Sequence, residues 1–315
     1  MLLSDSKTIK KVAIVGMGAL GLLFGKKLTQ NLGKDNVRYV LNKERKKRFE
    51  KNEIKINGES VSLGIIEEKT KGDPADLVIF AVKGKDIQSA LKSAKNQIGI
   101  DTIIISVMNG ITSEKIIEKA YPKAQVITSV AEGMDAVKID NELTYTKPGK
   151  IVIGYEIENS TNANYAKILA DFFESIKFPY TIEQNIKHRL WSKWMLNVGV
   201  NQVVTSEKGT YGTVQKDGLA RKRMIKAMRE AMKMANYEGV NVSEEDLKYY
   251  VKLIGELSPD GMPSMRQDAI AGRKTEVDLF AGTVIDLAEK HEDICPVNTT
   301  LYKEIRKIES SYNIS

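Results

Sequence analysis

The chain has 315 residues, of which 42% are hydrophobic and 28% are charged, and it carries a net charge of +7. This length allows two domains of ordinary size, and the composition excludes disordered and fibrous proteins. No apolar run approaches the roughly 20 residues that a membrane-spanning helix needs. Residues Met1–Lys11 lack the apolar core of a signal peptide, and the single cysteine, Cys295, excludes an internal disulfide. We therefore expect a cytoplasmic protein.

The excess of positive charge bears on the choice of partners, because such a surface attracts phosphates and carboxylates. The densest basic run, Lys43–Arg48, is interrupted by Glu44 and is predicted to lie on one short helix. A nucleic-acid-binding protein should instead cluster its cations with exposed aromatic residues. The sequence therefore favours an anionic cofactor and a small anionic substrate over nucleic acid or membrane partners. Most of the lysines, however, better fit a surface that charge keeps soluble.

In chain order, the first half alternates short apolar runs with helical stretches. Runs as uniformly apolar as these are typical of strands in a parallel sheet that is covered on both faces. Their alternation with helices predicts an α/β, doubly wound Rossmann-type domain. The predicted strands are Lys11–Val15, Val37–Leu41, Leu77–Val82 and Thr102–Val107, and the first predicted helix is Leu20–Leu32.

The pattern changes after Thr128, where the apolar runs become shorter. The dipeptide Pro148-Gly149 predicts a turn within Lys147–Lys150. This turn would join Leu143–Thr146 to Ile151–Tyr155 as a hairpin that extends the sheet. A helix over Ala163–Ile176 and a last short strand over Tyr180–Ile182 are expected to follow.

From about Gln184 onward the apolar residues show helical spacing and no strong strand is predicted. We therefore expect an all-α C-terminal domain over residues 185–315, after a dinucleotide-binding domain over residues 1–184, with the boundary near Gln184–Lys187. No linker separates the two, so they are expected to abut and leave a cleft. The predicted helices are Ile186–Val204, Arg221–Glu238, Glu244–Ile254, Met265–Ile270, Glu276–Lys290 and Val297–Tyr312.

The first predicted strand runs directly into Gly16-Met17-Gly18-Ala19-Leu20-Gly21, and a helix follows. In such a G-x-G-x-x-G turn the first glycine permits the tight turn and the second lets the backbone approach a pyrophosphate. The third lets the helix pack closely on the strand. The pyrophosphate would bind to the N–H groups at the helix N-terminus, where the helix dipole favours anions. This context makes the run a strong signal for dinucleotide binding.

The end of the second strand bears on which dinucleotide is bound. NAD enzymes usually place an acid there for the ribose hydroxyls, but this chain has Asn42 followed by Lys43 and Arg45. An amide with neighbouring cations favours the 2′-phosphate of NADP. Glu44 is the nearest acid and keeps NAD as the alternative, and each cation on its own also fits a solvated helix start.

The helix over Ile186–Val204 carries Lys193, Asn197 and Asn201 at a spacing of i, i+4, i+8. Steps of four residues place their side chains on one helix face, and asparagine is a poor helix former. A ketone reduction needs an acid near the carbonyl oxygen, which a lysine ammonium can supply, and amides can hold a hydroxyl or carboxylate. The alternative is the polar stripe of a surface helix, and spacing alone does not decide between them.

Several short motifs occur in a fixed order along the chain, and together they resemble the ketopantoate reductase (2-dehydropantoate 2-reductase) family over nearly the whole sequence. The resemblance implies NADPH-dependent reduction of a 2-keto acid, with ketopantoate as the first candidate substrate in pantothenate biosynthesis. A homodimer is left open. The motifs are GMGALG at Gly16–Gly21, Val82-Lys83, Asn109-Gly110, LWSKWMLNVGVNQ at Leu190–Gln202, Ser264–Asp268 and Thr275–Asp278.

The resemblance also implies roles for residues on the substrate side. Lys193 matches the catalytic lysine that protonates the nascent alcohol. Asn197 and Asn201 match substrate-binding asparagines, and Ser264 matches a substrate-binding serine. Glu276 matches an active-site glutamate that also lies near the cofactor.

Three further roles concern the cofactor side. Asn109 matches an asparagine near nicotinamide and substrate, and Lys83 matches a lysine on the cofactor side. Asn42 stands where some members carry an arginine for the 2′-phosphate, so that task passes here to Lys43 or Arg45.

Purely structural interpretations remain open beside these roles. Ser264 begins a Ser-x-x-Gln pattern, which is a capping box, and Glu276 is also favoured in the first turn of a helix by the dipole. Asn109-Gly110 is an ordinary turn pair. Tyr211 stands where some members carry an asparagine, and Met134 where a small residue can occur, so the exact keto acid stays open.

The alternative functions are another two-domain hydroxyacid or opine-type dehydrogenase, or a dinucleotide-binding protein without activity. The histidines, His188 and His291, lack Cys or acidic neighbours at ligand spacing, so no metal site is expected.

Overall fold

The structure is a computed structural model that describes residues 8–155 and 160–312. The predicted lack of a signal peptide in Met1–Lys11 therefore concerns a segment whose residues 1–7 lie outside the described part. The chain divides into two compact units: unit 1 ends at Lys187 and leaves out Asn109–Ile111, which belong with unit 2 from His188 onward. The predicted domain limits, 1–184 and 185–315, stay a prediction.

All strands of the described chain lie in unit 1. They are β1 (Val12–Val15), β2 (Val37–Leu41), β3 (Lys55–Ile56), β4 (Glu59–Ser60), β5 (Gly64–Glu67), β6 (Leu77–Phe80), β7 (Ile103–Ser106), β8 (Gln125–Met134), β9 (Val137–Ile139), β10 (Glu142–Thr144), β11 (Pro148–Gly154) and β12 (Tyr180–Glu183). The helices of unit 1 are α1 (Ala19–Leu32), α2 (Lys43–Lys51), α3 (Ile87–Ala94), α4 (Ser113–Ala120) and α5 (Ser160–Ser175).

The main sheet of unit 1 has eight strands in the order β12-β11-β8-β7-β6-β1-β2-β5. The strands from β8 to β5 in that order are parallel, while β11 pairs antiparallel with β8. Chain order reverses at β1, where β2 lies on one side and β6 on the other. This is the doubly wound arrangement, and it places the glycine turn after β1 at the point where ligands bind in such sheets. The predicted fold class is confirmed.

Both faces of this sheet are covered, as the uniformly apolar strands predicted. Alternate side chains of β1 enter different cores: Val12 and Ile14 belong to one cluster, Ala13 and Val15 to another. The first cluster includes side chains of α1 and α5, and the second includes side chains of α3 and α4. Side chains point alternately to opposite faces of a strand, so each face has its own helical layer.

The predicted hairpin between Leu143–Thr146 and Ile151–Tyr155 is wrong. β11 pairs instead with β8, and Ile151 lies opposite Ala131. The intervening β10 joins a separate four-stranded sheet in the order β4-β3-β10-β9. The carboxylate of Asp135 accepts hydrogen bonds from the backbone N–H groups of Thr146 and Lys147 at 2.9 and 2.7 Å. These bonds close the excursion of the chain over residues 135–147, which lies between β8 and β11, so the two strands can pair with each other.

Unit 2 is helical in its described part, as predicted. Its helices are α6 (Ile186–Ser206, reaching back into unit 1 at its first turn), α7 (Tyr211–Gln215), α8 (Leu219–Tyr237), α9 (Glu244–Gly255), α10 (Ser264–Ile270), α11 (Ala281–Lys290) and α12 (Pro296–Ser310). They enclose one apolar core that includes Met224, Met228 and Met234. The predicted helix Glu276–Lys290 is corrected: a 3-10 turn covers Val277–Leu279, and α11 begins only after Phe280.

The break at Phe280 has a local cause, because its backbone takes φ −108° and ψ −91°, which is not helical. None of the helices that the structure describes has a stretch long and apolar enough to traverse a lipid bilayer.

Candidate functional site

The glycine turn of unit 1 connects β1 to α1. Gly16 has φ +114°, and a Cβ at this position would lie 2.4 Å from the carbonyl oxygen of Ala81. A Cβ at Gly21 would lie 2.1 Å from the carbonyl oxygen of Gly16. Both approaches are too close for any side chain, so the turn and the packing of α1 on the sheet require these two glycines.

Gly18 differs from its two neighbours in the motif. Its φ of −77° suits any residue, and a Cβ would meet only the Ala81 carbonyl oxygen at 3.8 Å, an ordinary contact. Gly18 is exposed and is the N-cap residue of α1, where it offers no side chain to cap the helix. Nothing in the described chain requires glycine here. The open space above it therefore fits close approach by an external anion to the N–H groups of α1.

A buried tyrosine holds α1 behind this turn. The Tyr39 hydroxyl on β2 donates a hydrogen bond to the Gly21 carbonyl oxygen at 2.9 Å. Its burial raises the pKa of the phenol far above its usual range. A Cβ at Gly25 would lie 1.7 Å from the same hydroxyl oxygen, so Gly25 leaves room for it. The motif alone gave no signal for Tyr39 or Gly25.

The end of β2 presents the residues predicted to select the cofactor. Asn42 caps α2, because its side-chain oxygen accepts a hydrogen bond from the Arg45 N–H at 2.8 Å. Asn42, Lys43 and Arg45 are exposed as residues. The Arg45 guanidinium is nevertheless partly desolvated, and this desolvation together with the charge of Arg48 lowers its pKa, against the opposing effect of Asp86.

The strand order explains why these groups share one edge of the sheet. Asp86 ends a 3-10 turn that begins after Lys83, beyond β6, and Arg45 follows β2. Since β1 lies between β6 and β2 and all three strands are parallel, Lys83 and Arg45 follow strands on opposite sides of the glycine turn. The predicted cofactor residues of unit 1 therefore lie at a single edge. Met17 is buried in the apolar core.

Unit 2 brings together two predicted residues that are far apart in sequence. The Asn109 side-chain nitrogen donates a hydrogen bond to Oε2 of Glu276 at 3.0 Å. Glu276 is only 6% exposed, so its carboxylate is held away from bulk solvent. Gly110 has φ +95°, which supports the sharp turn after Asn109.

The face of α6 that carries Lys193 is not an open surface. Asn201 is buried, and its side-chain nitrogen donates a hydrogen bond to the Asn197 side-chain oxygen at 3.2 Å. The Asn201 side-chain oxygen accepts a bond from the Met265 N–H at 3.4 Å, at the start of α10. Lys193 and Asn197 are half-buried. The stripe therefore borders the core rather than facing solvent.

Trp194, which follows the lysine, connects α6 to the segment that carries Glu276. Its indole N–H donates a hydrogen bond to the Leu279 carbonyl oxygen at 2.9 Å. Its ring meets Trp191 edge-on, with ring centroids 5.5 Å apart. Nothing in the spacing of the two tryptophans along the sequence indicates this hydrogen bond.

Ser264 does not form the capping box that its Ser-x-x-Gln pattern suggested. The residue that caps α10 is Pro263, and Ser264 is the first, exposed residue of the helix. The Gln267 side chain instead donates to the Met262 carbonyl oxygen at 3.0 Å. The capping interpretation is therefore wrong, because Ser264 lies one position after the N-cap of α10.

Tyr211 packs on the loop before α10. Its N–H donates a hydrogen bond to the Gly261 carbonyl oxygen at 2.9 Å. A Cβ at Gly261 would lie 3.1 Å from its ring. Burial raises the pKa of the phenol to about 12. A neutral, half-buried phenol thus stands where some members carry an asparagine.

Glu114 is a buried acid of unit 1 that the sequence did not single out. The hydroxyl of Ser113 donates to its Oε2 at 2.8 Å, and the hydroxyl of Ser106 donates to Ser113 at 2.8 Å. The backbone N–H of Ser129 also bonds the carboxylate. Burial outweighs these bonds and raises the pKa of Glu114 to about 7. The network joins the end of β7 and the middle of β8 to the start of α4.

This network predicts a pH-dependent contribution to stability. The folded-state pKa of Glu114, about 7, lies above the usual 4.5, so its contribution is full below pH 4.5 and is lost as the pH rises through 7. Glu114→Gln, which cannot ionise, should avoid a loss of about 3 kcal/mol in the free energy of unfolding between pH 5 and 8. Thermal unfolding at both pH values measures this, with the exposed Glu245→Gln as control. Parallel pH curves for wild type and Glu114→Gln would contradict it.

No group of three or more histidine, cysteine, aspartate or glutamate side chains in the described ranges is arranged to hold a metal ion.

Comparison with family models covers both units. The model described as "Ketopantoate reductase PanE/ApbA" matches residues 12–156, and the one described as "Ketopantoate reductase PanE/ApbA C terminal" matches residues 185–309. A 2-dehydropantoate 2-reductase of Pyrococcus abyssi is 25% identical over 300 residues, 94% of this chain and 97% of its own. One from Streptococcus pyogenes is 26% identical over 291 residues, 89% of this chain and 91% of its own.

Solved structures show the same fold. The crystal structure of a PanE/ApbA family ketopantoate reductase from Ralstonia eutropha has a TM-score of 0.79 and 24% identity, covering 96% of this chain and 99% of its own. A D-mandelate dehydrogenase solved with NADH and anilino(oxo)acetate has a TM-score of 0.83 and 23% identity, covering 96% of this chain and 100% of its own. With both family models matched in order along the sequence, the chain belongs to the ketopantoate reductase PanE/ApbA family of oxidoreductases.

Proposed function

We propose that this protein reduces a small 2-keto acid to the 2-hydroxy acid with NADPH, and that 2-dehydropantoate is the preferred substrate. The observation that carries the proposal is the half-buried Lys193 on one face of α6 with Asn197 and the buried Asn201. The relatives from Pyrococcus abyssi and Streptococcus pyogenes, both 2-dehydropantoate 2-reductases, support the choice of substrate.

In this mechanism the Lys193 ammonium donates a hydrogen bond to the keto oxygen and then transfers its proton as the alcohol forms. Asn197, Asn201 and Ser264 bind the carboxylate and hydroxyl of the substrate. The amides do so without adding charge, so the ammonium stays the dominant charge at the reacting oxygen. Glu276 acts together with Asn109, whose side-chain nitrogen donates a hydrogen bond to the Glu276 carboxylate.

The dinucleotide would be held by unit 1. Backbone N–H groups of residues 16–21 would bind the pyrophosphate at the start of α1, because the space above Gly18 is open. Lys83 would lie on the cofactor side of the same edge. When bound, the reduced dinucleotide supplies the hydride that reduces the ketone carbon.

The preference for NADPH rests on the end of β2. The oxygen of Asn42 is already engaged as the cap of α2, and the residue carries no negative charge that would repel a 2′-phosphate. Lys43 and Arg45 are exposed beside it and offer the cations that a phosphate needs. Glu44 supports NADH as the second candidate.

The test is the loss of NADPH absorbance with 2-dehydropantoate, compared with pyruvate, 2-ketoisovalerate and phenylglyoxylate and repeated with NADH. We expect the highest kcat/KM for the pair of NADPH and 2-dehydropantoate. Faster turnover of phenylglyoxylate would show a different hydroxyacid dehydrogenase. Binding of NADPH without oxidation by any keto acid would show a dinucleotide-binding protein without this activity.

A further inference from the structure

Glu276 lies in the segment of residues 275–280, which we call the Glu276 turn. Polar side chains of the last helix, α12, form hydrogen bonds with this turn. Thr275 donates twice to a single carboxylate oxygen, Oε1 of Glu309: its backbone N–H lies 2.7 Å away and its hydroxyl 2.6 Å away. The residue immediately before Glu276 is therefore fixed through both its backbone and its side chain.

The other side of the Glu276 turn is held from the same helix. Arg306 donates to the second oxygen of Glu309 at 2.7 Å and also binds the carboxylate of Asp278. The Tyr302 hydroxyl donates to the same Asp278 oxygen at 3.0 Å. Arg306 thus bridges the anchor before Glu276 to the one after it.

These anchors differ from ordinary surface ion pairs. The Glu309 side chain is only 10% exposed, and that of Arg306 is 32% exposed. Exposed pairs contribute little because water screens them and their side chains stay mobile. A desolvated carboxylate that accepts three bonds, two of them at one oxygen, instead fixes the backbone that donates to it.

We propose that Glu309 and Arg306 are positioning residues, which orient the Glu276 carboxylate toward the Asn109 side chain for catalysis. The inference rests on the proposed function of Glu276. Thr275 and Glu276 are adjacent in the chain, so a shift of Thr275 also moves Glu276. That movement would change the 3.0 Å hydrogen bond that joins the Asn109 side chain to the Glu276 carboxylate. Small displacements of catalytic groups lower turnover strongly.

The variant Glu309→Gln weakens the grip on Thr275 and Arg306 with little change in volume. We expect kcat to fall by about tenfold, with a small change in KM for the keto acid. In Glu309→Asp, which keeps the carboxylate, the fall in kcat should be less than half as large. Glu304→Gln is the matched control: it breaks the ion pair of the same helix with Arg223, at 2.8 Å, and should leave kcat within about twofold.

A second measurement separates positioning from general destabilisation. In the Glu276→Gln background, Glu309→Gln should lower kcat by less than about twofold, because the group it positions is already gone. A full tenfold loss in that background would overturn the proposal. Equal losses of kcat in Glu309→Gln and Glu304→Gln would overturn it as well.

Hydrogen exchange makes the test independent of the substrate assignment. The Leu279 N–H bonds the Glu276 carbonyl oxygen at 2.9 Å, so its exchange rate reports the order of the Glu276 turn. We expect faster exchange in Glu309→Gln but not in Glu304→Gln. Unchanged exchange would overturn the positioning role even for a protein with another substrate, whereas faster exchange without any keto acid reduction would count against the proposed function alone.

Discussion

Lys193→Ala is expected to lower kcat for the keto acid by about a thousandfold and to leave the Kd for NADPH within about twofold. The ammonium is proposed to polarise the keto oxygen and supply the proton, and alanine can do neither. The proposed contacts with the pyrophosphate and the 2′-phosphate belong to unit 1, whereas Lys193 belongs to unit 2. Stopped-flow or steady-state NADPH oxidation gives kcat, and NADPH fluorescence gives Kd.

The control for this variant is Lys226→Ala, which removes an exposed lysine of α8 in the same unit. It should leave kcat within about twofold, since surface substitutions away from a site have small effects. A small amine such as methylammonium should restore part of the activity of Lys193→Ala. Turnover of Lys193→Ala within a few-fold of wild type would exclude Lys193 as the proton donor.

The sequence predicted four parallel strands of the main sheet, β1, β2, β6 and β7, for a physical reason, but it missed β5 and β8. Each of its central strands is buried on both faces, so the strands are continuous apolar runs that composition alone reveals. The small sheet of β3, β4, β9 and β10 escaped because two or three residues show no periodicity. The false hairpin came from trusting the local Pro148-Gly149 turn signal, whereas the true pairing of β11 depends on β8, which lies beyond an excursion closed by Asp135.

For the candidate site, helical spacing was the part that sequence could supply. Lys193, Asn197 and Asn201 lie on one helix, so their common face follows from a repeat of four residues. The pairing of Asn109 with Glu276 spans 167 residues and leaves no local signal. Glu309 likewise acts on Thr275 from another helix, so only the tertiary fold reveals it.

Substitutions at two glycines of the turn after β1, Gly21 and Gly18, are expected to separate an effect on stability from an effect on NADPH binding. Gly21→Ala would place its Cβ 2.1 Å from the Gly16 carbonyl oxygen, which is backbone and cannot move aside. Overpacking of this kind should lower the free energy of unfolding by about 2 kcal/mol or more. Chemical denaturation with urea measures that loss directly.

Gly18→Ala should behave in the opposite way. Its φ of −77° suits alanine and its Cβ would meet nothing closer than 3.8 Å, so stability should stay within about 1 kcal/mol of wild type. The Kd for NADPH should nevertheless rise by about tenfold or more, because the methyl group fills the space through which a pyrophosphate approaches the α1 backbone. Gly72→Ala, another glycine with open space around it, should change neither quantity. Normal NADPH affinity in a stably folded Gly18→Ala would mean that this turn does not hold the pyrophosphate, since no atom in the described part of the chain offers another reason for glycine at that position.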